Sequence, residues 1–316
     1  MNRKIWWRNI LLLSFVAVIC SSALSIICYA DVGEAGAQFL KIGVGARPVG
    51  MGECFAGLAD DVNAIYWNPG GLSRIEKREA TMMYNRWFQD IEYGYVAYAH
   101  PVSEEIGVFG GAVSYLVVGD MDRTKVDVDG DMMETNDKFD ASDMLITLSY
   151  GRKIKMVNAG ISLKYIKSKI DDENAAGFAV DLGCLYTTPV PKLDVGLAVQ
   201  NLGTKIRFIS KADPLPLNFR LGASYKMLEK DALTLVMDVN IPVEGNINVH
   251  AGGEYWLLNM VALRMGYKTT TVKGLGALSG LSVGCGFNYR GYGIDYAWVP
   301  YGDLGNTHRI SLTAKF

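Results

Sequence analysis

Few side chains in this sequence have the type and spacing that chemistry needs. The chain has only three histidines, His100, His250 and His308. Hydrolysis by a serine needs a base within hydrogen-bond reach, and His250 with Ser282 would supply that pair only if both stood on one wall. No motif marks them, and enzyme activity is not expected. Asp127-Val-Asp-Gly-Asp131 offers three carboxylates to Ca²⁺. Gly130 is misplaced for a calcium loop of the EF-hand kind, however, and Lys138 stands where its Glu should be, so an acidic solvated loop is the default. Asp60-Asp61 either caps a helix beginning near Val62 or pairs with a lumen arginine, and capping is the favoured reading. Gly43-Val-Gly45 is not a phosphate loop, because no strand precedes it and no Gly-Lys-Ser/Thr follows. In Asn68-Pro69, proline fixes its own φ and pushes Asn68 out of the helical region, which ends a helix and starts a turn. A substrate-contacting or gating role for the pair is the alternative. Cys54, Cys184 and Cys285 form no CxxC pair or Cys/His cluster, so neither a metal nor a cofactor is expected.

The elements that would position these residues are strands. Val157, Ala159, Ile161, Leu163 and Tyr165 alternate with Asn158, Gly160, Ser162 and Lys164, the mark of a strand with one apolar face. The pattern recurs in Leu193–Val199, Leu217–Tyr225 and Leu281–Tyr289. Read along the chain, it predicts fourteen strands, at 81–88, 91–100, 106–118, 140–153, 156–168, 175–188, 192–202, 216–228, 231–241, 246–257, 260–269, 279–290, 292–299 and 307–316. Their connections alternate between short turns and longer loops at 119–139, 203–215 and 270–278, which is how outer-membrane barrels are built. The polar phase carries Asp181, Asp194, Arg220, Asp238, His250, Glu254, Arg264, Lys268, Asp295 and Arg309. Burying so many charges in a soluble sandwich would cost several kcal/mol each unless paired, so a water-filled lumen is expected to hydrate them.

The chain has 316 residues, half of them hydrophobic, with 35 Gly, 17 Tyr and a net charge of −2. Arg3, Lys4 and Arg8 precede an apolar stretch from Ile10 to about Ile27, and small Ala30 stands before Asp31. This reads as a signal peptide over 1–30, with an uncleaved anchor as the alternative. Removing it leaves the chain more acidic, which excludes a non-specific nucleic-acid binder. Beyond it no run reaches the ~20 apolar residues of a spanning helix, so any membrane crossing is by strands. Ile310, Leu312, Ala314 and Phe316 alternate to a terminal aromatic, the type of signal read by the barrel assembly machinery. Trp87, Tyr255, Trp256, Tyr296 and Trp298 at strand ends fit interfacial girdles in contact with outer-membrane lipid.

Residues 31–79 lack alternation and are rich in Gly and Ala, as expected of short helical turns joined by glycine bends, and they precede the first strand of the 80–316 barrel. Within them Gly36-Ala-Gln-Phe-Leu-Lys-Ile-Gly-Val-Gly-Ala-Arg47, Gly50-Met-Gly52, Ala59-Asp-Asp61 and Tyr66-Trp-Asn-Pro-Gly-Gly-Leu72 resemble the PorV/PorQ family, relatives of the long-chain fatty-acid transporters (FadL). The resemblance implies an all-β transmembrane antiparallel barrel of about fourteen strands, plugged by an N-terminal glycine-rich hatch in the lumen of the bacterial outer membrane. It also implies a hatch set of Asn68, Pro69, Asp60, Asp61, Phe39 and Phe55 for substrate contact or gating, with Gly70 where that family's turn usually has Ala. Two functions follow from it. One is transport of a hydrophobic small molecule or lipid, in a pocket whose apolar burial contributes ~25 cal/mol per Å². The other is a non-enzymatic role in type IX secretion, with secreted cargo proteins as partners.

Overall fold

Alternating segments become strands because one face can be buried while the other meets a second medium. The computed structural model describes residues 35–87, 91–126, 132–269 and 277–316, so the leader and the acidic run 127–131 lie outside the described residues. The strands are β1 (Glu79–Arg86), β2 (Glu92–Ser103), β3 (Gly107–Val126), β4 (Met132–Ile154), β5 (Val157–Ile170), β6 (Glu173–Thr187), β7 (Leu193–Gly203), β8 (Ile206–Arg207), β9 (Ala212–Asp213), β10 (Asn218–Met227), β11 (Leu233–Pro242), β12 (Asn248–Leu257), β13 (Val261–Lys268), β14 (Leu281–Tyr289), β15 (Tyr292–Pro300) and β16 (Asn306–Lys315). The short β8 and β9 pair with each other. The other fourteen form one closed barrel in which β1 meets β16, from Glu79 opposite Lys315 to Arg86 opposite His308. Closure removes the sheet edges and satisfies every strand laterally, as a spanning sheet in lipid requires.

The barrel is apolar outside and charged inside. Leu163, Met237 and Met265 are more than half exposed, whereas Asp181, Glu254 and Arg309 are buried. A continuous apolar exterior of this kind would aggregate in water and is matched by lipid. Short turns lie at one end, which by the loop-length rule faces the periplasm. The expected long loop at 119–139 is instead mostly strand. β3 and β4 continue as a hairpin to Val126 and Met132, with bulges between Val118 and Met121 and between Asp122 and Thr124. Alternation fades there because a hairpin standing above the membrane is solvated on both faces, so no phase has to be apolar. The expected loop at 203–215 likewise holds the β8–β9 pair.

Between residue 35 and β1 the described residues make four short helical turns, Gln38–Lys41, Ala46–Gly50, Ala64–Trp67 and Pro69–Arg74. Gly45 and Gly52 make bends at φ 80° and 72°, where a Cβ would be strained. This segment packs inside the barrel against β3–β6 and β13–β16. The longest of the four has six residues, so most of its peptide groups lack intrahelical partners and must find them elsewhere.

Candidate functional site

The wall supplies those partners. Asp238 Oδ2 accepts from the amides of Phe55 and Ala56, both at 3.0 Å. Ser282 and Ser311 hydroxyls accept from Gly52 and Ala46, at 2.9 Å each. In the other direction Gln200 donates to Tyr66 O at 2.8 Å, Ser224 to Gly57 O at 3.0 Å and Arg220 to Glu53 O at 2.7 Å. The polar phase of the strands therefore lines open lumen only in part, at its outer end, which narrows the expectation drawn from the sequence. It is largely a set of hydrogen-bond partners for a plug, and most of its charges are paired, whereas Arg309 is buried with Nε and Nη1 unpartnered among the described residues. Where no side chain intervenes, the wall carries glycine so that the hatch backbone can touch it: a Cβ on Gly160 would strike the Pro69 carbonyl, and one on Gly266 would strike Gly52.

On the periplasmic side the hatch is locked by charge. Arg47 Nη1 donates to Asp60 Oδ1 at 2.7 Å and to Asp61 Oδ2 at 2.8 Å. Its Nε and Nη2 grip both oxygens of Glu254 at 2.9 Å, and the fork geometry makes this the strong form of the pair. Glu254 is held from behind by Arg264 at 2.7 Å, which also reaches Asp295 at 2.6 Å. Burial opposes charge on Arg47, but Asp60, Glu254 and Asp61 more than reverse that and hold it well above its ordinary pKa. Burial likewise pushes the Asp60 carboxyl up, and Arg47 overrides it to leave Asp60 below the usual carboxylate range. Toward the outer side, burial pushes Glu53 up, yet Lys268 with His250 and Arg309 brings it down to about 2. Its carboxylate meets Lys268 Nζ at 2.9 Å.

The residues expected to matter fall into three groups. Asp60 and Asp61 pair with an arginine of the hatch, not of the wall, and Asp61 Oδ1 also accepts from the Asn63 amide at 2.9 Å just before the Ala64–Trp67 turn. Asn68 is fully buried and makes the expected turn: its Oδ1 accepts from Gly70 at 3.1 Å, and its Nδ2 donates to Ala56 O at 2.7 Å and Cys184 O at 3.0 Å. Pro69 follows it into the contact with Gly160 and Gly183. Phe39 and Phe55 lie in the apolar cluster shared by hatch and wall. His250 and Ser282 do not form a nucleophile–base pair, since both hydrogen-bond to the hatch backbone at Gly52. Arg47, Glu254 and Arg264 were not anticipated as site residues. A lone arginine among glycine and alanine, thirteen residues before an acid pair, was the available signal.

The hatch divides the lumen into two vestibules and two chemical halves. The outer cavity measures about 690 Å³ and is bounded by Glu53, Asn218, Arg220, Glu244, His250 and Lys268, among others. The inner one measures about 190 Å³ and lies on the Arg47–Asp60–Asp61 network. Across the hatch from the charged strands β10–β16, the inner faces of β2–β4 are mostly apolar, and β5 adds Ile166 beside a buried Lys164–Asp181 pair. Tyr93 opposes Leu116, Leu145 opposes Ile166, and these pack in one cluster with Phe39 and Tyr66.

A family model described as "Type IX secretion system protein PorV" matches residues 30–243, well over half the chain and including the whole hatch. The chain belongs to the PorV family. This PorV-family barrel stands in the bacterial outer membrane, as its closed fourteen-strand wall and lipid-facing belt require. Solved structures with its fold include the Ralstonia pickettii toluene transporter TbuX, at 13% identity and TM-score 0.59, covering 87% of this chain and 98% of that one. The Pseudomonas putida toluene transporter TodX aligns at 12% identity and TM-score 0.53, covering 86% and 96%. No curated protein matches the chain.

Proposed function

We propose that this PorV-family barrel carries a hydrophobic small molecule across the outer membrane, past a hatch that must shift to let it through. The observation that carries the reading is the apolar sector of Tyr93, Tyr95, Leu116, Leu145 and Ile166 facing hatch residues Phe39 and Tyr66. A route needs apolar burial for such a solute and a movable barrier, and this side of the hatch has few charge pairs to break. The fold shared with two toluene transporters supports it. In this role Phe39 and Phe55 contact the solute, while Asn68, Pro69, Asp60 and Asp61 hold the closed hatch. Outer-membrane lipid covers the belt, Phe316 offers the assembly machinery its terminal aromatic, and no reaction is catalysed. The test is uptake of radiolabelled toluene and oleate into proteoliposomes. Protein-dependent uptake of either is expected, and its absence for both sinks the reading.

A second reading rests on the family match: a closed barrel that receives exported proteins in type IX secretion rather than passing solutes. Co-purification of an exported protein's C-terminal domain with the barrel, together with no solute uptake, would favour it over transport.

A further inference from the structure

Apolar Leu40, Tyr66, Pro216, Leu217, Pro242 and Ile247 line the outer cavity together with polar groups that a purely hydrophobic solute cannot satisfy. Its wall holds a run of amides, including Gln200, Asn201, Asn218, Asn240, Asn246 and Asn248. Four buried polar atoms of its lining have no partner among the described residues: Asn218 Oδ1, Arg220 Nε, Glu244 Oε1 and His250 Nε2. Their roles can be assigned. His250 Nδ1 lies 2.8 Å from the Gly52 carbonyl, which only accepts, so Nδ1 carries the proton and Nε2 of the neutral ring is an acceptor. Asn218 Nδ2 donates to Gln200 Oε1 at 3.0 Å and Asn240 Oδ1 at 2.6 Å, which leaves its oxygen turned free. Arg220 is pinned by Asp238 and by the Trp67 ring 4.8 Å away, so its Nε–H is a fixed donor. Three unmet acceptors and one unmet donor therefore lie just beneath the cavity lining, within reach of a ligand after small side-chain shifts.

We propose that this cavity binds a neutral saccharide of one or two rings. An anion is disfavoured by the carboxylates of Glu53 and Glu244, because the lysines that face them are already paired, Lys268 at 2.9 Å and Lys41 at 3.5 Å. A cation meets Lys41, Arg220 and Lys268. A peptide segment brings one donor and one acceptor per residue and needs an open groove, whereas here the hatch closes the floor. Hydroxyl groups donate and accept from the same atom, match an acceptor-rich lining, and suit amides, which recognise them without charge. The volume lies within the ~300–1,000 Å³ usual for small-ligand sites. A site whose buried polar groups wait for hydroxyls also rejects analogues lacking them. The cavity shares Leu40 and Tyr66 with the apolar cluster, but saccharide binding in it does not depend on solute transport.

The test is calorimetric titration of the detergent-purified full chain with maltose, cellobiose, lactose and N,N′-diacetylchitobiose, and with a neutral capped tripeptide. At least one saccharide is expected to bind with a dissociation constant of about 1 mM or tighter. Asn240→Trp, which fills the cavity, and Glu244→Leu, which deletes an acceptor, should each weaken it at least tenfold. Lipid-facing Phe178→Leu should not, with folding of every variant checked by the heat-dependent gel shift of intact barrels. No saccharide binding, binding that neither cavity variant weakens, or binding of the tripeptide alone would each overturn the proposal. Toluene uptake is read in a separate assay, so a failure there leaves this result standing.

Discussion

Replacing Arg47 with methionine keeps an unbranched apolar stem and removes the charge that three carboxylates share. Five contacts are lost, to Asp60, Asp61 and Glu254. Removing one partner from a buried ion pair costs roughly 3–5 kcal/mol. Here Glu254 keeps Arg264 at 2.7 Å and Asp60 is about a quarter exposed, so the lower end applies and most of the cost falls on Asp61. About 3 kcal/mol corresponds to roughly a hundredfold change in the hatch-opening equilibrium. The barrel ladders do not involve Arg47, so the loss should be local. Hydrogen exchange read by mass spectrometry in lipid nanodiscs should show hatch peptides about a hundredfold less protected, with strand peptides unchanged. The pH dependence should also reverse. In the native protein Asp60 is held below the carboxylate range, so its contribution is present above its unfolded pKa and lost as pH falls through its folded value. In Arg47→Met the Asp60 carboxyl loses the charge that held it down, and burial is then expected to raise it. Mild acid should then restore hatch protection, after correction for intrinsic exchange. Unchanged hatch protection, or equal loosening of hatch and wall, would refute the idea that this arginine locks one to the other.

Glu53 gives a second pH signature: its carboxyl is held at about 2 against an ordinary 4.5, so its stabilisation is complete above 4.5 and disappears between there and 2. Glu53→Gln should remove that part of the acid sensitivity of hatch protection, measured by the same exchange experiment. Gly160→Ala places a methyl against the Pro69 carbonyl, where backbone must move, and should destabilise hatch docking by about 1–3 kcal/mol. Gly94→Ala meets nothing nearer than 4.0 Å and should be neutral, both variants being read by the same hydrogen-exchange experiment.

The strands were legible because lipid imposes period two on every residue that crosses it. Val157–Tyr165 reads as β5 without any tertiary information, and so do Leu193–Val199 within β7 and Leu281–Tyr289 as β14. Where that constraint lapses, so did legibility: the β3–β4 extension stands above the membrane, carries no apolar phase, and looks like a loop. The hatch was legible as a Gly/Ala-rich region without alternation, and Asn68-Pro69 as a turn, since proline geometry is local. Asp60 and Asp61 were visible as acids, but capping and ion pairing ask for the same residues at the same positions. Only the approach of Arg47, thirteen positions away, separates the two.

The sequence alone determined that a β-barrel forms, which phase of each strand faces lipid, and that an irregular glycine-rich segment precedes it, because these follow from local periodicity and backbone propensity. The tertiary structure decided what the inward charges are for. Most of them satisfy the peptide groups and ions of a plug, and this depends on pairings such as Arg47 with Glu254, 207 residues apart. It also decided that the lumen has an apolar half, a charged half and a polar outer cavity. Each strand contributes only a few inward residues to these surfaces, and closure of the barrel is what brings them together.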